Sequence, residues 1–97
     1  MTDHILEIKY GGATLKLEIR PGNFTRLLVN GILREEKAIN QSSSSELIVR
    51  LSSTVQTDYE WHEFIEALVT ISEGRISAKL IANNTEIAHE NYPINRG

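Results

Sequence analysis

The chain has 97 residues, 40% of them hydrophobic and 24% charged, with no cysteine. That is enough for one domain with its own core, and it excludes disulfides, thiolate chemistry and cysteine metal sites. The formal net charge is −3, and residues 51–97 carry only three Lys/Arg against seven Asp/Glu. This balance weighs against the phosphate neutralisation that drives sequence-independent nucleic-acid binding.

The N-terminal stretch "MTDHILEIKYGG" places Asp3 and His4 where a secretory signal would be basic, then alternates polar with apolar residues. No apolar run approaches the ~20 residues that span a bilayer. A cytoplasmic protein with no membrane contact is the expectation.

Four turn signals divide alternating arms: "YGGA" (10–13), "VNGI" (29–32), "SEGR" (72–75) and "ANNT" (82–85). Gly and Asn accept the positive φ of two-residue type I′ hairpin turns, and Glu73 is the poor fit among them. Register tests these turns. With Tyr10 opposite Ala13, Ile8 meets Leu15 and Leu6 meets Leu17 on one face, while Glu7 meets Lys16 on the other. With Ser72 opposite Arg75, Ile71 meets Ile76, Val69 meets Ala78 and Ala67 meets Leu80. A slip of one residue would set Ile71 against Arg75 and break the apolar face.

The segment 57–74, "TDYEWHEFIEALVTISEG", admits two readings. As a helix at about 58–73 it has a capping-box look, Thr57 with Glu60, and a stripe of Trp61, Phe64, Ile65 and Leu68, which would make the fold α+β. As a strand it accounts for more: six of the seven odd positions from 59 to 71 are apolar and five of the seven even positions from 60 to 72 are polar. A strand over 59–72 is therefore predicted, with a bend or bulge near Glu63 because it exceeds the usual ~10 residues.

The predicted strands are 4–10, 13–20, 24–30, 32–39, 46–53, 59–72, 75–82 and 85–91, in one all-β domain spanning 1–97. They form an antiparallel meander of about eight strands, closed as a small barrel or folded as a two-sheet sandwich.

Reactive constellations are weak. "HEFIE" (62–66) has the first two residues of the zinc-protease motif, but Glu66 stands where the second His belongs, and a strand would point His62 and Glu63 to opposite faces. In the simple hairpin register His89 falls opposite Ala78, too far along the sheet from His62 to share an ion. The chain has no nucleophile elbow and no phosphate loop. No catalytic residue, metal or cofactor is assigned, and a non-enzymatic role is favoured.

Some strands carry apolar residues on both faces. Pairing Val29 with Ile32 leaves Leu28 and Leu33 on the face opposite Leu27, and Phe64, Leu68 and Ile81 lie opposite Val69 and Ile71. Such strands are covered on both sides. We therefore expect a protein-binding module (an adaptor, inhibitor or immunity-like factor) whose apolar patches, Leu28 with Leu33 or Phe64 with Leu68 and Ile81, meet another protein or a second copy in a homodimer. The alternative is a carrier or enzyme with a small ligand inside the barrel, for which Tyr59, Trp61 and Glu63 are the candidate residues. Binding of single-stranded nucleic acid is the weakest class, given six aromatics in an acidic chain.

Overall fold

The structure, a computed structural model, describes residues 4–20, 23–39, 47–56, 62–72 and 74–93. These form β1 (His4–Tyr10), β2 (Ala13–Arg20), β3 (Phe24–Val29), β4 (Ile32–Ala38), β5 (Leu47–Gln56), β6 (His62–Ser72), β7 (Arg75–Ala82) and β8 (Thr85–Pro93). All ladders are antiparallel. β1–β4 form one four-stranded sheet in chain order and β5–β8 form the other. The helix reading of 58–73 is overturned where the segment is described, since β6 is extended and laddered to β5 and β7. The barrel alternative also falls, because no backbone ladder joins β4 to β5 or β8 to β1. The two sheets pack as a sandwich. Among the described residues, no helix is long and apolar enough to cross a membrane.

Alternation dictates this arrangement. Leu15, Leu17 and Ile19 of β2 and Ile65, Ala67, Val69 and Ile71 of β6 point inward and are almost wholly buried. β3 and β7 add Leu27, Val29, Ile76 and Leu80. Each large side chain so buried contributes roughly 1.5–3 kcal/mol. Thr25 is the one buried polar residue among those described, and its hydroxyl donates to the Glu18 carbonyl at 2.9 Å.

The hairpin registers follow the turns. Tyr10 pairs with Ala13, Val29 with Ile32, Ser72 with Arg75 and Ala82 with Thr85. Asn30 and Gly31 have φ of 52° and 79°, and Asn83 and Asn84 have 48° and 69°, the left-handed values that a type I′ turn demands. Of the bend or bulge expected near Glu63, no bulge occurs among the described residues: β5 and β6 pair without interruption from Leu47↔Ile71 to Gln56↔His62. Extra residues occur elsewhere, at Arg34 in β4 and Ile87 in β8, where the register shifts. The second bulge sets His89 opposite Lys79 instead of Ala78. His89 is consequently exposed, with its Nε2 3.2 Å from Ser77 Oγ.

The two sheets repeat one plan. Leu6↔Leu17 and Leu17↔Leu27 in the first correspond to Leu51↔Ala67 and Ala67↔Leu80 in the second. The turn asparagines match as well. Asn30 N–H donates to Thr14 O (2.8 Å) while its Oδ1 accepts from Thr14 N (2.9 Å), and Asn83 treats Phe64 identically, at 3.0 Å in both directions. In each sheet a side-chain carbonyl thus completes the ladder one position beyond the strand, and the bulge follows four residues after the Asn.

Side chains bridge the open seams. From β4, Glu35 Oε1 accepts from Ser52 N at 2.7 Å and Lys37 Nζ donates to Arg50 O. From β8, Tyr92 OH donates to Ile5 O at 3.3 Å and its ring stacks on His4 at 4.4 Å. Edge strands carry unpaired backbone groups, and these side chains stand in for a missing neighbour strand.

Candidate functional site

The outer face of the second sheet holds the most continuous apolar surface. Register places Arg50, Leu68, Lys79 and His89 in one row across it, and Ser52, Glu66, Ile81 and Glu86 in the next. Ile48 lies one row before Leu68 and one strand over, Ile81 one row after it and one strand further, and Phe64 completes the run in β6. Diagonal neighbours in a sheet are about 7–8 Å apart, within reach of long side chains. Ile48, Leu68, Ile81 and Phe64 therefore form a stripe crossing three strands. Ile48 is 58% exposed and Phe64 45%, while Leu68 and Ile81 are half-buried.

Two ion pairs flank this stripe, Arg50–Glu66 at 3.9 Å and Lys79–Glu86 at 3.8 Å. Both are solvent-facing and contribute little to stability, but they set charges of both signs along the apolar residues. Sequence patterning had grouped Phe64, Leu68 and Ile81. It missed Ile48, because no two-residue turn signal joins β5 to β6 in the sequence, which leaves the β5 register open. The isolated signal was an Ile on the polar parity of β5.

On the first sheet the second patch is smaller. Leu28 and Leu33 are directly opposite; Leu28 is half-buried and Leu33 is 50% exposed, next to the exposed Ile32 at the hairpin tip. The neighbour of Leu28 on its other side is Lys16. Lys16 was expected to pair with Glu7 across the ladder; the two are opposite, yet the Lys16 ammonium contacts Glu18 at 3.5 Å.

Farther along that face Phe24 is flanked by two guanidiniums, Arg26 at 3.9 Å and Arg20 at 4.9 Å from the ring centre. They border a shallow pocket of about 110 Å³ whose wall includes Glu18 and Ile5. Arg26 is ion-paired with Glu36, so the charges around this pocket largely offset one another.

Of the residues proposed for an interior ligand, Glu63 alone lies among the described residues. Tyr59 and Trp61 lie outside the described residues, as does Glu73. Glu63 sits half-buried at one end of the sandwich, where its Oε1 accepts from Tyr10 OH and from Asn83 Nδ2, both at 2.7 Å. This carboxylate joins the first sheet to the second and braces the β7–β8 turn. The hydrogen bond to Glu63 raises the Tyr10 phenol above its usual 10.0, with desolvation and the carboxylate's charge acting in the same direction. Tyr92 is raised by burial first and by Glu90 second. Among the described residues no group of three or more His, Cys, Asp or Glu could hold a metal ion.

Comparison with protein-family models, with curated proteins and with solved structures finds no match for this chain.

Proposed function

We propose that this protein is a protein-binding module whose contact surface is the outer face of the second sheet, centred on Leu68 and Ile81 and extended by Phe64 and Ile48. One observation carries the reading. The first sheet has the same register, so it reports what the fold requires at each outer position. Where the second sheet has Phe64 and Leu68, the first has Thr14 and Glu18. A four-stranded sheet of this design therefore forms without apolar residues at those two positions, whereas Ile81 has an apolar counterpart in Leu28.

A contiguous apolar run bordered by charge is the composition of an interface. The partner that fits presents its own apolar row, with acidic and basic groups placed to meet Arg50, Glu66, Lys79 and Glu86. An interior ligand finds less support, because the described inner residues are almost entirely apolar.

The test is affinity capture from the native host with the unmodified protein and Leu68→Glu in parallel, read by quantitative mass spectrometry. A polypeptide held in near-stoichiometric amount by the unmodified protein and lost by the variant supports the reading. The same set of proteins retained by both would remove it.

A further inference from the structure

The geometry points to β1 as a self-pairing edge: two copies join antiparallel through Glu7 and Lys9, with Ile8 at the two-fold axis. Backbone direction comes first. The bonds between Thr14 and Asn30 turn the even residues of β2 toward β3, so the odd residues of β2 face β1. In β1 the even residues then bond to β2, and Ile5, Glu7 and Lys9 direct their N–H and C=O groups to the open edge. Tyr92 OH reaching Ile5 O agrees with that assignment.

The equivalent edge of the second sheet is β5, and it is shielded. Lys37 occupies the Arg50 carbonyl and Glu35 the Ser52 amide. Ile5 and Glu7 are the counterparts of Arg50 and Ser52 in the shared register. Tyr92 covers the first, but the residue of β8 equivalent to Glu35 is Ala88, which has no acceptor to offer. Among the described residues nothing covers the amide of Glu7 or the backbone of Lys9. Their side chains, both exposed, form no ion pair there either.

Charge then selects one register. Pairing centred on Glu7 would set it against its own copy, and pairing centred on Lys9 would do the same for the lysine; like charges directly opposite are destabilising. Centred on Ile8, Glu7 meets the partner's Lys9 and Lys9 meets the partner's Glu7. Each of these pairs exchanges two backbone hydrogen bonds. On the inner face Ile8 meets the partner's Ile8, continuing the apolar layer it already packs against. The ladder ends at Ile5, where Tyr92 sits.

Because the chain lacks cysteine, a single Ile8→Cys substitution reports this contact. Ile8 and its copy form a non-hydrogen-bonded pair with Cα atoms about 4.5 Å apart, within disulfide reach. Under oxidised glutathione, Ile8→Cys is expected to give a covalent dimer well before Leu33→Cys does. In sedimentation equilibrium without crosslinking, Lys9→Glu is expected to weaken the dimer about tenfold, and Glu7→Lys with Lys9→Glu to restore it. Leu68→Glu should leave it unchanged, so this edge and the outer-face surface fail separately. A protein monomeric up to about 1 mM, equal crosslinking at positions 8 and 33, or a charge-swapped double variant that stays as weak as Lys9→Glu would each overturn the inference.

Discussion

The two sheets share ladders, turn asparagines and bulges, and they diverge at three places: core volume, edge shielding and outer surface. The first sheet packs Leu17 where the second has Ala67. Its last strand sends Glu35 and Lys37 to seal the neighbouring edge, whereas β8 sends one tyrosine hydroxyl. Its outer face is mostly polar and charged, whereas the other carries an apolar stripe. The shared features mark what a four-strand meander of this kind needs to form. The divergent ones lie where each sheet meets something else: the opposite layer, a strand edge or, on the proposed reading, a surface partner.

The largest effect is expected in the core. Leu17→Ala copies the second sheet's residue into the first and should cost about 2–5 kcal/mol in urea unfolding, because the opposite layer cannot collapse onto the cavity. The reciprocal Ala67→Leu should cost about 1–3 kcal/mol through overpacking. If either were neutral, Leu17 and Ala67 would not lie in a tightly packed core.

The turns come next. Asn30→Ala and Asn83→Ala each force alanine into a left-handed backbone and remove a ladder-completing carbonyl, for about 1–3 kcal/mol. Asn83 should be the costlier, since it also holds Glu63. Asn→Gly at either site keeps the φ freedom and removes only the side-chain bonds, so most of the backbone part of the loss should return.

At the seam, Glu35→Ala leaves the Ser52 amide without its acceptor and should cost about 1 kcal/mol. Faster hydrogen exchange at Ser52 than in the unmodified protein would be the local sign.

The smallest effect concerns pH. The folded state favours the neutral Tyr10 phenol, so its contribution is complete below the unfolded pKa of about 10. It is lost as pH rises through the higher folded value. Glu63→Gln removes the charged acceptor, so phenolate absorbance from Tyr10 should emerge at lower pH than in the unmodified protein.

Much of this architecture was legible in the chain because hairpins are local. Central Gly and Asn residues that accept positive φ, flanked by arms whose apolar residues match in a single register, left little freedom at 10–13, 29–32, 72–75 and 82–85. The bulges were not legible. Arg34 and Ile87 are ordinary strand residues, and nothing in their type marks them as the extra one, so His89 was placed one position off. The split into two sheets was also hidden, since closure depends on whether β4 meets β5 through backbone or through Glu35 and Lys37. Of the outer-face stripe, the part within β6 and β7 followed from a known register, whereas Ile48 needed the β5–β6 ladder, which no turn signal in the sequence fixes.

The central claim is that Phe64 and Leu68 are apolar for a partner and not for the fold, and transplanting the first sheet's residues tests it most directly. In Phe64→Thr with Leu68→Glu, the new threonine faces Thr54 and the new glutamate lies between Arg50 and Lys79, both favourable cross-strand neighbours. Urea unfolding of this double variant should match the unmodified protein to within about 0.5 kcal/mol. A loss of about 2 kcal/mol or more, the scale of a buried side chain, would show that the stripe holds the sandwich together and would contradict the claim.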